Sequence, residues 1–251
     1  MLLDVKELSK YFGGLKAVHG VSFSLAREEI LGIIGPNGAG KTTLFNLISG
    51  FFRPTSGEVY FEGMRTDRLK SYRVARLGIG RTFQIVRPFK GLSVSDNVRA
   101  GCGCSAYRGL LSIFRSARSP RWTETVTDCL QVMGLTAHAD RDAEFLPLGM
   151  LRRLEIARAL ALKPKLVLLD ESFSGLSREE EVALIEVVRN LRKEGLTFIV
   201  IEHNMQVATS LCDRLMVLDY GQKLTEGDPA TVVADPRVIE AYLGEECRAY
   251  Y

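Results

Sequence analysis

Apolar and polar residues alternate in V-S-F-S-L (21–25), the period-2 pattern of a strand with one buried face, and G-E-V-Y-F-E-G (57–63) repeats it. Three other stretches are unbroken apolar runs: I-L-G-I-I-G (30–35), L-V-L-L-D (166–170) and T-F-I-V-I-E (197–202). Runs of this kind suit strands covered on both faces, as in a parallel sheet flanked by helices. Between the last two, Leu184, Val187, Val188 and Leu191 fall at i, i+3, i+4 and i+7, the stripe of an amphipathic helix. Buried strand, amphipathic helix, buried strand predicts a βαβ unit and an α/β class.

The middle of the chain, roughly 85–162, follows another rhythm. It has no buried-strand run, and Trp122, Val126, Cys129 and Met133 mark one helical face. A stretch rich in Gly, Ser and Arg, G-C-G-C-S-A-Y-R-G-L-L-S-I-F-R-S-A-R-S-P (101–120), precedes that helix and reads as loose. The pattern therefore predicts one α/β domain over 1–251, with a core formed by 1–84 and 163–251 and a helical subdomain inserted at about 85–162.

Composition changes this picture little. Apolar residues make up 46% and charged residues 25% of 251, ordinary globular usage that excludes disorder. The net charge of +3 does not demand nucleic acid as a partner. No apolar run approaches the roughly 20 residues that span a bilayer. The opening M-L-L-D-V-K-E-L-S-K carries acids early and lacks the apolar centre of a signal peptide. The expectation is a cytoplasmic chain that reaches a membrane only through a partner. Five scattered cysteines (Cys102, Cys104, Cys129, Cys212 and Cys247), with no C-x-x-C pair, read as reduced thiols rather than a zinc site.

The strongest chemical signal is G-P-N-G-A-G-K-T, from Gly35 to Thr42, which matches G-x-x-x-x-G-K-[ST] between an apolar strand and a helix bearing Leu44, Leu47 and Ile48. Glycines let successive backbone N–H groups turn toward an anion, and the helix N-terminus adds the positive end of its dipole. Lys41 is placed to reach the β- and γ-phosphates of a nucleotide, and the Thr42 hydroxyl to ligate Mg²⁺. L-V-L-L-D-E narrows the chemistry: Asp170, at the end of a buried strand, can hold the Mg²⁺ water shell, and Glu171 can polarise an attacking water.

In order along the chain stand Phe12, the phosphate loop 35–42, Gln84 in R-T-F-Q, the segment E-F-L-P-L-G-M-L-R-R-L-E-I-A-R-A-L (144–160), L-V-L-L-D-E, and His203 in I-E-H-N-M. This order and spacing resemble the ATP-binding subunits of ABC transporters over essentially the whole chain. The resemblance implies an ABC-type P-loop NTPase core, an antiparallel β subdomain on the N-terminal side and an inserted helical subdomain. It implies that Phe12, with Tyr11 beside it, stacks on adenine and that Val18 packs against the base. Gly35, Pro36, Asn37, Gly38, Ala39, Gly40, Lys41, Thr42 and Thr43 would hold the phosphates. Gln84 would touch Mg²⁺ and the attacking water, and His203 the γ-phosphate and Glu171. L-S-K-Y-F-G-G-L-K-A-V, G-I-G-R-T-F-Q, the 101–122 insertion, R-R-L-E-I-A-R-A-L and D-P-R-V-I-E-A-Y-L-G-E resemble one branch, the ATPase subunits of bacterial branched-chain amino-acid importers. Urea-type importers and lipopolysaccharide-export ATPases share several of these features.

The start of the 144–160 stretch departs from that pattern. The family usually has L-S-G-G-Q, which contacts the γ-phosphate bound to a second subunit; here the residues are Leu146, Pro147, Leu148, Gly149 and Met150. Gly149 is thus implied to act in trans, while Pro147 offers neither hydroxyl nor N–H. Ser172 stands for a usual proline, Ser177 for an acid or amide, and Asn204 for a common aspartate. Two readings stay open. One is an active transport ATPase at the cytoplasmic face of a bacterial inner membrane, paired with a second ATPase subunit of the same or a different chain, two membrane-spanning permeases and, indirectly, a substrate-binding protein. The other is a nucleotide-binding structural subunit that hydrolyses ATP slowly. A soluble ATPase acting on DNA or ribosomes would carry coiled-coil or fused-domain additions, so no nucleic-acid partner is expected.

Overall fold

The computed structural model describes residues 1–106 and 120–248, and the chain separates into two units: Met1–Val74 with Arg192–Tyr251, and Ala75–Leu191. The chain begins with β1 (Leu3–Phe12), β2 (Leu15–Leu25), β3 (Ile30–Ile34), α1 (Lys41–Ile48), β4 (Ser56–Phe61), β5 (Met64–Arg65) and α2 (Ser71–Leu77). Then come β6 (Ile79–Arg81), α3 (Val94–Ala106), α4 (Pro120–Val132), α5 (Leu148–Leu160), β7 (Leu166–Asp170) and α6 (Arg178–Lys193). The last part holds β8 (Thr197–Ile201), α7 (Met205–Leu211), β9 (Arg214–Asp219), β10 (Gln222–Gly227), α8 (Pro229–Val233) and α9 (Pro236–Arg248).

In the first unit, β1, β2, β4 and β5 form an antiparallel sheet in the order β2-β1-β4-β5. Its inner face is the alternating set seen in the sequence: Val21, Phe23 and Leu25 on β2, Val59 and Phe61 on β4, all buried. The register of β1 shifts at several points, and at the slip between Val5 and Leu8 Glu7 takes φ 47°. That slip keeps both Val5 and Leu8 inside. β3 runs parallel to β8 and to β9, and β10 turns back antiparallel along β9. All five residues of β3 and of β8 are buried, as the continuous runs predict. Arg214 joins the two sheets. It donates to Glu29 Oε1 at 2.8 Å and to the Ser24 carbonyl at 2.7 Å, and pairs with Glu226.

In the second unit, β6 and β7 pair in parallel, with Ile79 opposite Leu166 and Arg81 opposite Leu168. Among the described residues no strand lies between 82 and 165; α3, α4 and α5 fill that span and pack on one another. Val126, Cys129 and Met133 are buried, as their spacing predicts. The stripe on α6 holds at three of its four positions: Leu184, Val188 and Leu191 are buried, Ile185 is buried beside them, and Val187 is only half so. Asn97 is fully buried, and its amide donates to the carbonyls of Phe89, Leu92 and Ser93 at 3.0–3.2 Å, folding the 89–93 loop around one side chain. Cys102, Cys129 and Cys212 are buried thiols whose pKa values burial raises, to about 12 for Cys129. No group of three or more His, Cys, Asp or Glu able to hold a metal ion occurs among the described residues.

The expectation of a loose segment from Gly101 onward is corrected in part: 101–106 continue α3, and the rest of that stretch, 107–119, lies outside the described residues. The glycine there marks a helix contact. A Cβ on Gly101 would stand 2.5 Å from the Arg158 carbonyl of α5, so only glycine lets the two backbones approach. Alanine at that site would gain about 1 kcal/mol of helix propensity. The clash with a main-chain atom outweighs it, and Gly101→Ala is expected to destabilise the protein by about 1–3 kcal/mol in a denaturant melt.

Candidate functional site

The phosphate loop leaves β3 at Gly35, with φ 147°, and passes Gly38 and Gly40 at φ 77° and 100°. A Cβ on Gly35 would meet the Leu218 carbonyl at 2.1 Å, and one on Gly40 the Ala17 carbonyl at 2.3 Å. Glycine is demanded here by both conformation and space. Gly40 caps α1 with no side-chain hydrogen bond, which leaves the amides of the first helical turn to the loop. Buried Lys41 turns its ammonium inward and donates to the carbonyls of Gly35 and Pro36 at 2.5 and 2.7 Å. Asn37, Gly38 and Thr42 are exposed, whereas Pro36 and Ala39 are buried. Two contacts fix the loop from outside: the Gly35 N–H donates to Tyr242 Oη of α9 at 2.7 Å, and the Gly221 N–H to the Ala39 carbonyl at 3.0 Å.

Phe12 is 43% exposed at the end of β1, edge-on to Phe52 with ring centroids 5.4 Å apart, and the Lys10 ammonium stands 5.1 Å from its ring centre. Neighbouring Tyr11 is engaged with His19 through a 2.8 Å Oη–Nδ1 contact. Val18 is fully buried, so its side chain has no accessible surface for a base; the open apolar face belongs to Phe12. His203 is exposed just past the end of β8. Asn204 beside it caps α7, its side-chain oxygen accepting from the N–H groups of Gln206 and Val207 at 2.9 and 3.4 Å. An aspartate would cap in the same way, so the Asn204 departure keeps its structural role.

The second unit joins Gln84 to the paired acids. Gln84 Nε2 donates to Glu171 Oε2 at 3.0 Å, and Glu171 sits in the left-handed region at φ 49°. Asp170 is 1% exposed and accepts from Arg81 Nη2 at 3.0 Å. Burial draws the Arg81 guanidinium below its ordinary pKa, and the Asp170 charge opposes that. The Asp170 N–H donates to Thr82 Oγ1 at 3.0 Å, and that hydroxyl lies 2.9 Å from Ser172 Oγ. Sequence reasoning missed Arg81 and Thr82. Their signal was the parallel pairing of β6 with β7, which sets G-I-G-R-T-F-Q alongside L-V-L-L-D-E-S.

The segment at 146–150 begins a helix as expected: α5 starts at Leu148, with Pro147 as its N-cap and no side-chain cap. A proline tolerates that position because a helix leaves its first N–H groups unpaired. Gly149 is buried, and Glu180 lies against it: a Cβ there would meet Glu180 Oε1 at 2.2 Å. Glu180 in turn accepts from the Ser177 N–H at 2.9 Å, and its own N–H donates to Ser177 Oγ at 3.3 Å. S-R-E-E is thus a capping box for α6, a signal present in the sequence. Ser177 stands where an acid or amide is usual, and it takes over the helix cap.

Three side chains of α5 grip the segment after Gln84. Arg152 donates to the Gln84 carbonyl and Arg158 to the Arg87 carbonyl, both at 3.0 Å, and the Arg87 N–H donates to Glu155. Burial raises the Glu155 pKa to about 7 against the opposing charges of Arg152 and Arg158.

The phosphate loop and His203 belong to one unit, and Gln84, Asp170, Glu171 and Gly149 to the other. Residues 18–174 match a family model described as ABC transporter, and 222–247 one described as branched-chain amino acid ATP-binding cassette transporter. The chain is 40% identical over 251 residues to the high-affinity branched-chain amino acid transport ATP-binding protein LivG of Salmonella typhimurium, covering 97% of this chain and 98% of that one. It is 38% identical to BraF of Pseudomonas aeruginosa, a protein of the same description, at the same coverage. Among solved structures, the ADP conformation of MJ1267, an ATP-binding cassette of an ABC transporter, superposes with a TM-score of 0.88 at 34% identity, over 97% of this chain and 99% of that one. A dimeric cassette, MJ0796 bound to ADP and Pi, gives 0.79 at 26% identity over 90% and 98%.

The buried carboxyl of Glu155 yields a pH prediction. Its folded pKa lies above the unfolded value, so the folded state binds more protons between about pH 4.5 and 7 and loses stability as pH rises through that window. Glu155→Gln removes this dependence. Denaturation of both proteins at pH 5 and pH 8 is expected to show the stability difference moving against the wild type at the higher pH, by up to about 3 kcal/mol.

Proposed function

The chain belongs to the ABC transporter family of ATP-binding proteins, and on that premise we propose that it binds and hydrolyses ATP to energise import of branched-chain or related amino acids. The observation that carries hydrolysis is the 3.0 Å hydrogen bond from Gln84 to Glu171, in a chain that also keeps the full phosphate loop. Backbone N–H groups of residues 38–43 and the Lys41 ammonium bind the β- and γ-phosphates, and Phe12 stacks on the base. Val18, being buried, keeps a packing role. Glu171 accepts a proton from water as its oxygen attacks the γ-phosphorus; the bond to the β-phosphate oxygen breaks, leaving ADP and phosphate. Gln84 orients the Glu171 carboxylate and the water, and His203 contacts the γ-phosphate.

The oxygen donors of Thr42, Gln84 and Asp170 fit Mg²⁺, which takes few protein oxygens and keeps water and phosphate ligands. Thr42 and Gln84 would hold it directly and Asp170 through water, and when bound it would neutralise charge developing on the phosphates.

No helix among the described residues is long and apolar enough to cross a membrane. We assign the chain to the cytoplasmic face of the bacterial inner membrane, bound to two permease subunits and a second ATPase subunit, with Gly149 contacting that subunit's nucleotide. The core is 1–84 with 163–251, and the helical insertion is 85–162. A second reading, a slow structural subunit, draws on Pro147 and Leu148 at the α5 N-terminus, where no side-chain hydroxyl is available. Losing one preorganised donor costs about 10²–10³ in rate.

ATP turnover of the chain reconstituted with its membrane partners separates the two. Wild type is expected to turn over at least about 100-fold faster than Glu171→Gln, the scale of a lost general base. Equal rates would establish the structural reading. Lys41→Ala should abolish nucleotide binding under either.

A further inference from the structure

Thr82 and Ser172 explain more of the site than either residue suggests alone. In the parallel ladder between β6 and β7, the Thr82 N–H donates to the Leu168 carbonyl at 2.9 Å. The next rung, from the Asp170 N–H, goes to the Thr82 hydroxyl at 3.0 Å. A side chain thus carries the ladder one step beyond the end of β6, as the main chain departs toward Gln84. That hydroxyl accepts from Asp170 and meets Ser172 Oγ at 2.9 Å, both residues being 1% exposed. Two residues along one segment and one residue back along the other, Gln84 donates to Glu171. The two contacts close a ring: Thr82, Phe83 and Gln84 on one side, Glu171 and Ser172 on the other.

We propose that the buried Thr82–Ser172 hydroxyl pair is a positioning clamp that holds Gln84 and Glu171 in register for attack on the γ-phosphate. The inference rests on the reading of Glu171 as the residue that takes the proton from water. Glu171 needs such support because its left-handed φ of 49° is one that a non-glycine residue keeps only when its surroundings over-determine it. The outer contact, Gln84 to Glu171, lies in an exposed setting where water competes for both groups. The inner one is sealed from water and cannot exchange in that way. Ser172 is therefore more than a replaced proline: it supplies the oxygen that completes the Thr82 network.

The test uses Ser172→Ala, Thr82→Val, their combination and Thr82→Ser in the reconstituted transporter, with Glu171→Gln as the inactive reference. A misplacement of about 1 Å can cost up to 10²-fold in rate, so each single variant is expected to lower kcat by about tenfold with KM for ATP unchanged. The double variant should fall no further than Thr82→Val alone, because that change already removes the contact that Ser172→Ala deletes. Thr82→Ser, which keeps the hydroxyl, should restore kcat. Wild-type kcat in both single variants, a loss expressed in KM, or additive losses in the double variant would overturn the proposal.

Hydrogen exchange on the full chain provides a readout independent of turnover. Protection at 82–84 and 170–172 should drop in Ser172→Ala and Thr82→Val while 30–34 stays protected. Unchanged exchange at 82–84 and 170–172 would also overturn the clamp. If wild type turns over no faster than Glu171→Gln, the hydrolysis reading itself fails, and exchange still decides whether the pair holds the segment.

Discussion

A strand covered on both faces has no side chain to spare for water, so its polar chemistry must wait until it ends. β3, β7 and β8 are such strands, each with all five residues buried. β3 runs out into the phosphate loop, β7 ends on Asp170 with Glu171 next, and β8 is followed by Glu202 and His203. Burial supplies rigidity to the strand and therefore to the first residues beyond it. It also explains the left-handed backbone of Glu171 and the special glycines of the loop, because the chain has to turn away sharply where the sheet can no longer pair it.

Three of the departures from the family pattern share a local logic: at Ser172, Ser177 and Asn204 a small hydrogen-bonding residue stands and has found partners. Asn204 caps α7, Ser177 and Glu180 form a reciprocal cap on α6, and Ser172 joins Thr82 beneath the paired acids. Pro147 contributes only its carbonyl, which accepts from the Leu151 N–H at 3.0 Å; its missing N–H is tolerated because it stands where a helix leaves N–H groups unpaired anyway. The replacements thus preserve helix starts and the end of a strand.

Much of the molecule was legible from pattern. Alternating stretches became the antiparallel sheet, unbroken apolar runs became fully buried strands, and the G-P-N-G-A-G-K-T loop took positive φ at its glycines. Less legible were glycines that serve packing. Gly101 looked like loop composition and is instead the point where α3 touches the backbone of α5. Val18 and Phe12 looked alike as apolar neighbours of a base, yet one is sealed in the core and the other open. Periodicity reports which residues are apolar, and it is silent on whether two backbones meet at a given glycine or which face of a sheet another element covers.

What the sequence determined by itself is whatever depends on near neighbours. That covers the strand and helix periods, the loop whose glycines must turn amides toward an anion, the capping signals, and the order of acids, glutamine and histidine along the chain. Only the tertiary structure decided that Thr82 and Ser172, 90 positions apart, share a hydrogen bond, that Arg81 pairs with Asp170, and that burial raises the Glu155 pKa. The physical reason is that hydrogen bonds and desolvation depend on distances of a few ångströms. Strand register and helix packing, not sequence separation, set those distances.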